Sequence, residues 1–271
     1  MRVTTRALAA AALAGVAALH GCAGAPPPGT PVSGAALAEL AARLSAPSAR
    51  VEALRGSGHG TARLSNREVS FAFTLVYDNP GWLRADVRPE LGSLSGTMTA
   101  LLLWEADCGR CYLPAKGVEI RGCLPEEGVT LSGIDQASLL LGAPQSSLID
   151  QLTDACVAME DDSIVIRGRR DEATMRASFE GDPPRLRELV VREGLSELTL
   201  KYEGHGWKKL PWLPETTVVT LLRRGKRELS ATLQFRTLRQ VEHVERRDYD
   251  IHVPPGARIV GWEDLKLWRS E

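Results

Sequence analysis

The chain divides into a short segment with helical periodicity and a long segment in which apolar and polar residues alternate. Apolar residues recur at intervals of three and four between Leu37 and Leu44, which is the spacing of one helix face. Ser33 or Gly34 can cap this helix, and Pro47 is predicted to end it. Beyond it the apolar period changes to two, which predicts β-strands.

Short turns separate the alternating segments. Residues 78–81 read Asp-Asn-Pro-Gly, which favours a tight turn because Asn and Asp bond to nearby backbone and Pro fixes φ. Residues 224–226 give another turn, with Gly225 where a hairpin needs positive φ. Strands joined this closely are antiparallel neighbours, so we predict a mainly β (α+β) protein with a large curved antiparallel sheet of about nine to eleven strands. The absence of crossover helices from the pattern excludes a parallel nucleotide-binding fold.

Two further helices are predicted at residues 134–141 and 145–158, inserted between two runs of strands. We find no repeat and no shift in composition that would divide the body of the chain. We therefore expect a single domain over residues 35–271.

Composition and charge narrow the classes of partner. The 271 residues are 44% hydrophobic and 25% charged, as in an ordinary globular protein. Lys and Arg number 33 against 34 Asp and Glu, so the net charge is −1. A chain so balanced has no overall positive field, and nucleic acid is not an expected partner.

The N-terminal residues have the pattern of an export signal. Arg2 and Arg6 precede an apolar run over 7–19, which is typical of a secretory signal and too short to span a bilayer. The run ends in Leu-His-Gly-Cys, which resembles a bacterial lipobox, so we expect residues 1–21 to be a signal peptide. The resemblance implies acylation of Cys22; an ordinary cleaved signal that leaves Cys22 as a spare thiol is the alternative.

The segment that follows is predicted to be a tether. Residues 22–34 contain four prolines and no apolar periodicity, which favours an extended chain between the lipid and the folded body. Ala23, rather than Asp, follows the cysteine. By resemblance to bacterial sorting rules this implies the outer membrane, with the body facing the periplasm.

Four cysteines remain in the body. In an exported protein an even number suggests disulfides, whose connectivity the sequence does not determine. Cys108 and Cys111 could instead form a redox pair, but their surroundings predict a β-hairpin rather than the strand-to-helix setting that such a pair requires. A zinc site is a weaker alternative, since no His lies at ligand spacing. The candidate disulfide cysteines are Cys108, Cys111, Cys123 and Cys156.

No catalytic signature is present. The five histidines are isolated, and the chain lacks a nucleophile-elbow, a zinc-protease and a phosphate-loop motif. We therefore expect no enzyme, no cofactor and no metal site, and favour a binding or carrier role.

Two apolar features are candidate binding surfaces. Alternate residues of one predicted strand form an apolar face that would line a ligand cavity in a half-closed sheet; they are Phe71, Phe73, Leu75 and Tyr77. A Pro-broken, Trp-rich loop follows later, and it could enter a lipid interface, cover the mouth of a cavity, or simply be core. Its apolar residues are Trp207, Leu210, Trp212 and Leu213.

The whole arrangement resembles the LolA/LolB family of lipoprotein carriers and receptors. The matching segments are residues 54–58 entering the first strand, 79–84 between the next two, 139–144 in the helical insert, and 251–257 as a final strand with its exit. The resemblance implies a half-open barrel whose concave face is covered by the N-terminal and inserted helices. It also implies a hydrophobic cavity for acyl chains.

Three functions follow from these features. The leading hypothesis is an outer-membrane lipoprotein that binds lipid or lipoprotein acyl chains in its cavity. The alternative is a non-enzymatic envelope scaffold that binds a protein partner through its sheet surface or the Trp-rich loop. A third is an oxidoreductase that uses Cys108 and Cys111.

Overall fold

A computed structural model describes residues 29–64, 67–78, 81–90, 100–105, 108–123 and 136–261. The predicted signal peptide, Cys22, most of the tether and turn residues 79–80 lie outside the described residues. Within these ranges, no helix combines the length and the apolar character needed to cross a membrane.

The described residues form four α-helices and fifteen β-strands. The helices are α1 (Gly34–Ala49), α2 (Gln136–Leu140), α3 (Ser147–Asp150) and α4 (Arg246–Tyr249). The strands are β1 (Thr30–Pro31), β2 (Ala53–Leu64), β3 (Arg67–Asp78), β4 (Trp82–Pro89), β5 (Ala100–Glu105), β6 (Cys108–Leu113), β7 (Val118–Cys123), β8 (Thr153–Glu160), β9 (Ser163–Arg170), β10 (Ala173–Glu180), β11 (Arg185–Glu193), β12 (Ser196–Glu203), β13 (Thr216–Arg223), β14 (Lys226–Val241) and β15 (Arg258–Gly261).

All fifteen strands belong to one sheet, in the order β1-β8-β9-β10-β11-β12-β13-β14-β2-β3-β4-β5-β6-β7-β15. Two antiparallel meanders, β2–β7 and β8–β14, are joined because β14 pairs with β2. The two ends of the order, β1 and β15, are edges, so the described strands form an open sheet. The predicted half-open, mainly β fold is confirmed.

The sheet has more strands than the predicted nine to eleven. Part of the excess comes from the two edge strands, which are too short to show alternation, and from β8, which lies within a predicted helix. β1 has two residues and β15 has four. β15 also pairs with β7 in parallel, whereas the prediction was antiparallel throughout.

Two predicted elements are wrong. Residues 145–158 do not form one helix: α3 is a single turn, and β8 follows because its backbone pairs with β9, with Ala155 buried in the core. Residues 251–257 are not a strand. Ile251 is instead buried against Leu103 and Tyr112, and the Arg84 guanidinium donates hydrogen bonds to two backbone carbonyls just before it.

The predicted N-terminal helix is confirmed, and it packs on the inner face of the second meander. Leu37, Ala41 and Leu44 are buried in one cluster with residues of β9–β12. Pro47 does not end the helix but lies buried in its last turn, and α1 continues to Ala49. Proline lacks a backbone N–H and so removes one hydrogen bond from the helix. The two residues after Pro47 nevertheless remain in the helix.

Candidate functional site

A cavity of about 530 Å³ lies between the concave face of the sheet and helix α2. Its volume is within the range of roughly 300–1,000 Å³ for small-molecule sites. Every described residue that lines it is apolar. The lining draws on the two main apolar clusters among the described residues: Leu139 and Leu200 belong to one, and Phe73 and Leu75 belong to the other.

One wall of the cavity comes from β3, β4 and β5. Alternate residues of a strand share a face, so the inward residues of neighbouring strands lie opposite each other. Phe73 is paired with Val87 in this way, and Leu75 is paired with Ala85. The inward residues of this wall are Phe71, Phe73, Leu75, Leu83, Ala85, Val87 and Leu102.

The facing wall comes from β12, β13 and β14. Its residues are Leu198, Leu200, Val219, Leu233 and Phe235. The Phe235 ring meets that of Phe73 edge to face, with centroids 5.6 Å apart and an interplanar angle of 87°. This is a favourable geometry for an aromatic pair, and it joins the two walls.

Strand β2 lies between the two walls and carries glycine at its inward positions. A Cβ on Gly58 would lie 2.7 Å from Phe73 Cζ, and one on Gly60 would lie 2.6 Å from Phe71 Cε2. The two rings can therefore lie flat over β2 only because these positions have no side chain. This role of β2 was not among the predicted site features, although the Gly-Ser-Gly-His-Gly alternation over 56–60 is a signal for it in the sequence.

Helix α2 forms the roof of the cavity and is held by the sheet beneath it. The Tyr202 hydroxyl donates to the carbonyl of Leu139 (2.7 Å), and the Thr217 hydroxyl donates to that of Leu140 (3.0 Å). Tyr202 and Thr217 are direct partners across β12 and β13. Burial raises the pKa of Tyr202, so its hydroxyl remains a donor.

Three of the four residues of the predicted apolar face lie in the cavity wall. They are Phe71, Phe73 and Leu75. Tyr77 does not line the cavity; it is buried beside Leu54 in the core beyond its end. The contact of any of these residues with a lipid remains a prediction.

The Trp-rich loop connects β12 to β13 and packs onto the core. Leu210 and Leu213 are buried in the cluster that contains Leu75 and Phe235. Trp207 and Trp212 are half-buried against it, and Trp207 Nε1 donates to the carbonyl of Pro214 (3.0 Å). The loop therefore packs onto the core at the end of the cavity near Leu75 and Phe235, and its contact with a membrane or with a ligand at the cavity mouth remains a prediction.

The cysteines do not form the redox pair considered from the sequence. Cys108 is in a disulfide, and its Cα lies opposite that of Cys123. Cys111 and Cys156 are free thiols, which corrects the prediction that both form disulfides. The sheet separates them, since Cys111 is buried on the inner face near Val118 and Cys156 lies on β8 near the opposite edge.

The outer face of the second meander carries charges that are paired with one another. Glu160 accepts hydrogen bonds from Arg167 and Arg176, and Glu188 lies within ion-pair distance of Arg176 and Lys201. The bond from Arg167 is the main cause of the lowered pKa of Glu160. No group of three potential metal ligands occurs among the described residues. Of these features, the apolar cavity is the one that can act on a ligand, because it can remove an apolar molecule from water.

Comparisons with known proteins relate this chain to others through its fold. No family model matches the sequence, and no curated protein matches it. A DUF1329 family protein from Desulfovibrio piger matches with a TM-score of 0.53 and 10% identity, over 79% of this chain and 95% of its own. A LolA superfamily protein from Nitrosomonas europaea matches with a TM-score of 0.52 and 8% identity, over 79% and 97%.

A third solved structure is a proposed outer membrane lipoprotein-sorting protein domain from Vibrio parahaemolyticus. It matches with a TM-score of 0.51 and 12% identity, over 79% of this chain and 97% of its own. At these identities the likeness concerns architecture. The fold of this protein is LolA/LolB-like.

Proposed function

We propose that this protein binds an acyl chain of a lipid or lipoprotein non-covalently in the cavity between its sheet and α2. The observation that carries the proposal is the lining: every described residue of a 530 Å³ cavity is apolar. Such a wall offers no directed hydrogen bond to a polar ligand. It favours a hydrocarbon chain, whose burial contributes about 25 cal/mol per Å² removed from water.

The biological setting that we propose is the bacterial envelope. The lipobox ending at Cys22 supports an acylated N-terminus that anchors the body at the outer membrane, and multiple acyl chains make such an anchor stable. The Vibrio parahaemolyticus domain of similar fold is a proposed lipoprotein-sorting protein. In this account the protein carries or receives lipids or lipoproteins without catalysing a reaction.

The proposal is tested by uptake of a fluorescent fatty acid. The protein is the mature chain 22–271 with Cys22→Ser, which keeps every described residue and remains in solution without a lipid anchor. Phe73→Asp places a carboxylate in the wall, and a charge without a partner is costly in an apolar site. We expect this variant to lose uptake.

A second variant tests the same cavity in case Phe73→Asp fails to fold. Ala85→Trp fills the cavity with apolar volume, and Ala72→Trp is its matched control because Ala72 lies between Phe71 and Phe73 on the other face of β3. We expect Ala85→Trp to abolish uptake and Ala72→Trp to retain it. Unchanged uptake by a folded Ala85→Trp protein would refute binding in this cavity.

A further inference from the structure

We infer that the cavity holds one acyl chain of about 16–18 carbons and has no room for a second. This inference rests on the proposed function and specifies its ligand. It follows from the size of the cavity, the uniformity of its lining and the packing at its end.

The volume sets the number of chains. A methylene group is close in size to a water molecule, which occupies about 30 Å³ in the liquid. A cavity of 530 Å³ therefore matches roughly 18 such groups, which is one long chain. Two chains of that length would need about twice the space.

The walls leave little freedom to enlarge. Phe73 and Phe235 are buried, and their rings meet edge to face over Gly58 of β2, to which both residues are paired. The glycines of β2 already allow the rings of Phe71 and Phe73 to lie against the sheet, so these rings have no space behind them. The Trp-rich loop packs against one end through Leu213, which is fully buried. Chain length is therefore limited by a packed end.

The lining also determines where the head group lies. Since each described lining residue is apolar, a carboxylate or phosphate has no partner within the cavity, and burying it there would be costly. The polar end must remain in water. The ligand is thus selected by the length of one chain and not by its head group.

The test is displacement of a fluorescent fatty acid by saturated fatty acids of 8 to 22 carbons, using the mature Cys22→Ser chain. Affinity is expected to rise about fourfold per added methylene, the factor for one buried methylene, and to level off near 16–18 carbons. Native mass spectrometry should show one fatty acid per protein. A second bound equivalent, or affinity that still rises at 22 carbons, would overturn the inference while leaving acyl-chain binding intact.

A cavity variant assigns the limit to this cavity. Ala85→Leu adds three carbons to the wall, so the plateau should shift to chains about three carbons shorter. Ala72→Leu makes the same change on the outer face and should leave the plateau in place. A plateau unmoved by Ala85→Leu would contradict the inference, whereas failure of every fatty acid to displace the probe would count against the proposed function itself.

Discussion

Cys111 and Cys156 are both free thiols, but their surroundings differ. Cys111 is buried on the inner face of the sheet with Val118 and Ile120, and burial raises its pKa from 9.0 to about 11. Cys156 is half-buried on β8 and lines a groove on the outer face. Because the thiolate is the reactive form of cysteine, Cys111 should be inert while the protein is folded.

We predict that iodoacetamide at pH 8.5 labels Cys156 and leaves Cys111 unlabelled in the folded protein. With a pKa of about 11 instead of 9.0, Cys111 carries about a hundredfold less thiolate, since each pH unit is a factor of ten. Burial also restricts access of the reagent to Cys111. Peptide mapping by mass spectrometry reports each site. Labelling of Cys111 in the folded protein should rise only as the pH approaches 11.

The control is the same reaction in urea, where both thiols should be labelled. If folded Cys111 reacted as fast as Cys156, the inner face near β6 would not be packed as described. Such a result would also reopen the redox hypothesis for the 108–111 segment.

At the scale of single elements, the inward glycines of β2 make room for the aromatic wall. A Cβ at either position would meet a backbone carbonyl as well as a Phe ring, but Gly58 is the more constrained, because its Cβ would lie much closer to the carbonyl oxygen of Gln234 than the 3.0 Å between a Cβ on Gly60 and that of Thr232. A backbone atom cannot move aside as the end of a side chain can.

We therefore predict that Gly58→Ala lowers the free energy of unfolding by about 1–3 kcal/mol, the usual range for overpacking. Urea denaturation measures the change. Thr61→Ala, on the outer, exposed face of the same strand, should alter stability by no more than about 0.5 kcal/mol. Equal stability of Gly58→Ala and wild type would show that β2 tolerates an inward side chain.

Helix α2 has only five residues, too few to be stable alone. Its position depends on the hydroxyls of Tyr202 and Thr217, which bond to its last two carbonyls. We predict that Tyr202→Phe and Thr217→Val each cost about 0.5–1.5 kcal/mol of unfolding free energy. In the double variant, hydrogen exchange should quicken first in α2.

The matched control for this pair is Thr220→Val, which lies on the same strand, β13, but faces the opposite side of the sheet. It should leave exchange in α2 unchanged. If hydrogen exchange in α2 were as slow in the double variant as in wild type, the two hydroxyls would not be what holds α2 in place above the cavity.

At the scale of the whole molecule, the sequence was informative where structure is local. The period of Leu37, Ala41 and Leu44 predicted α1, and the turn at Gly225 has the positive φ that was expected. Three of the four residues on the apolar face of β3 lie in the cavity wall. These features depend on spacing and turn chemistry, which a single sequence contains.

What the sequence did not reveal depends on distant pairing. The apolar spacing of residues 153–158 fits either a helix or a strand. Backbone pairing with β9 makes this segment the strand β8. The junction of β14 with β2 brings together residues more than 150 positions apart, and it places Phe235 against Phe73. Tyr202 and Thr217 likewise gain their role only when the sheet brings them beneath α2.

Native mass spectrometry would detect an acyl chain bound in the cavity, using the mature Cys22→Ser chain exported in a bacterial host and purified without detergent. We expect the protein mass to be increased by that of a lipid which extraction with organic solvent releases, and we expect Ala85→Trp, but not Ala72→Trp, to lose this lipid. A folded protein that carries no lipid and takes up none when lipid is added would contradict the proposed function.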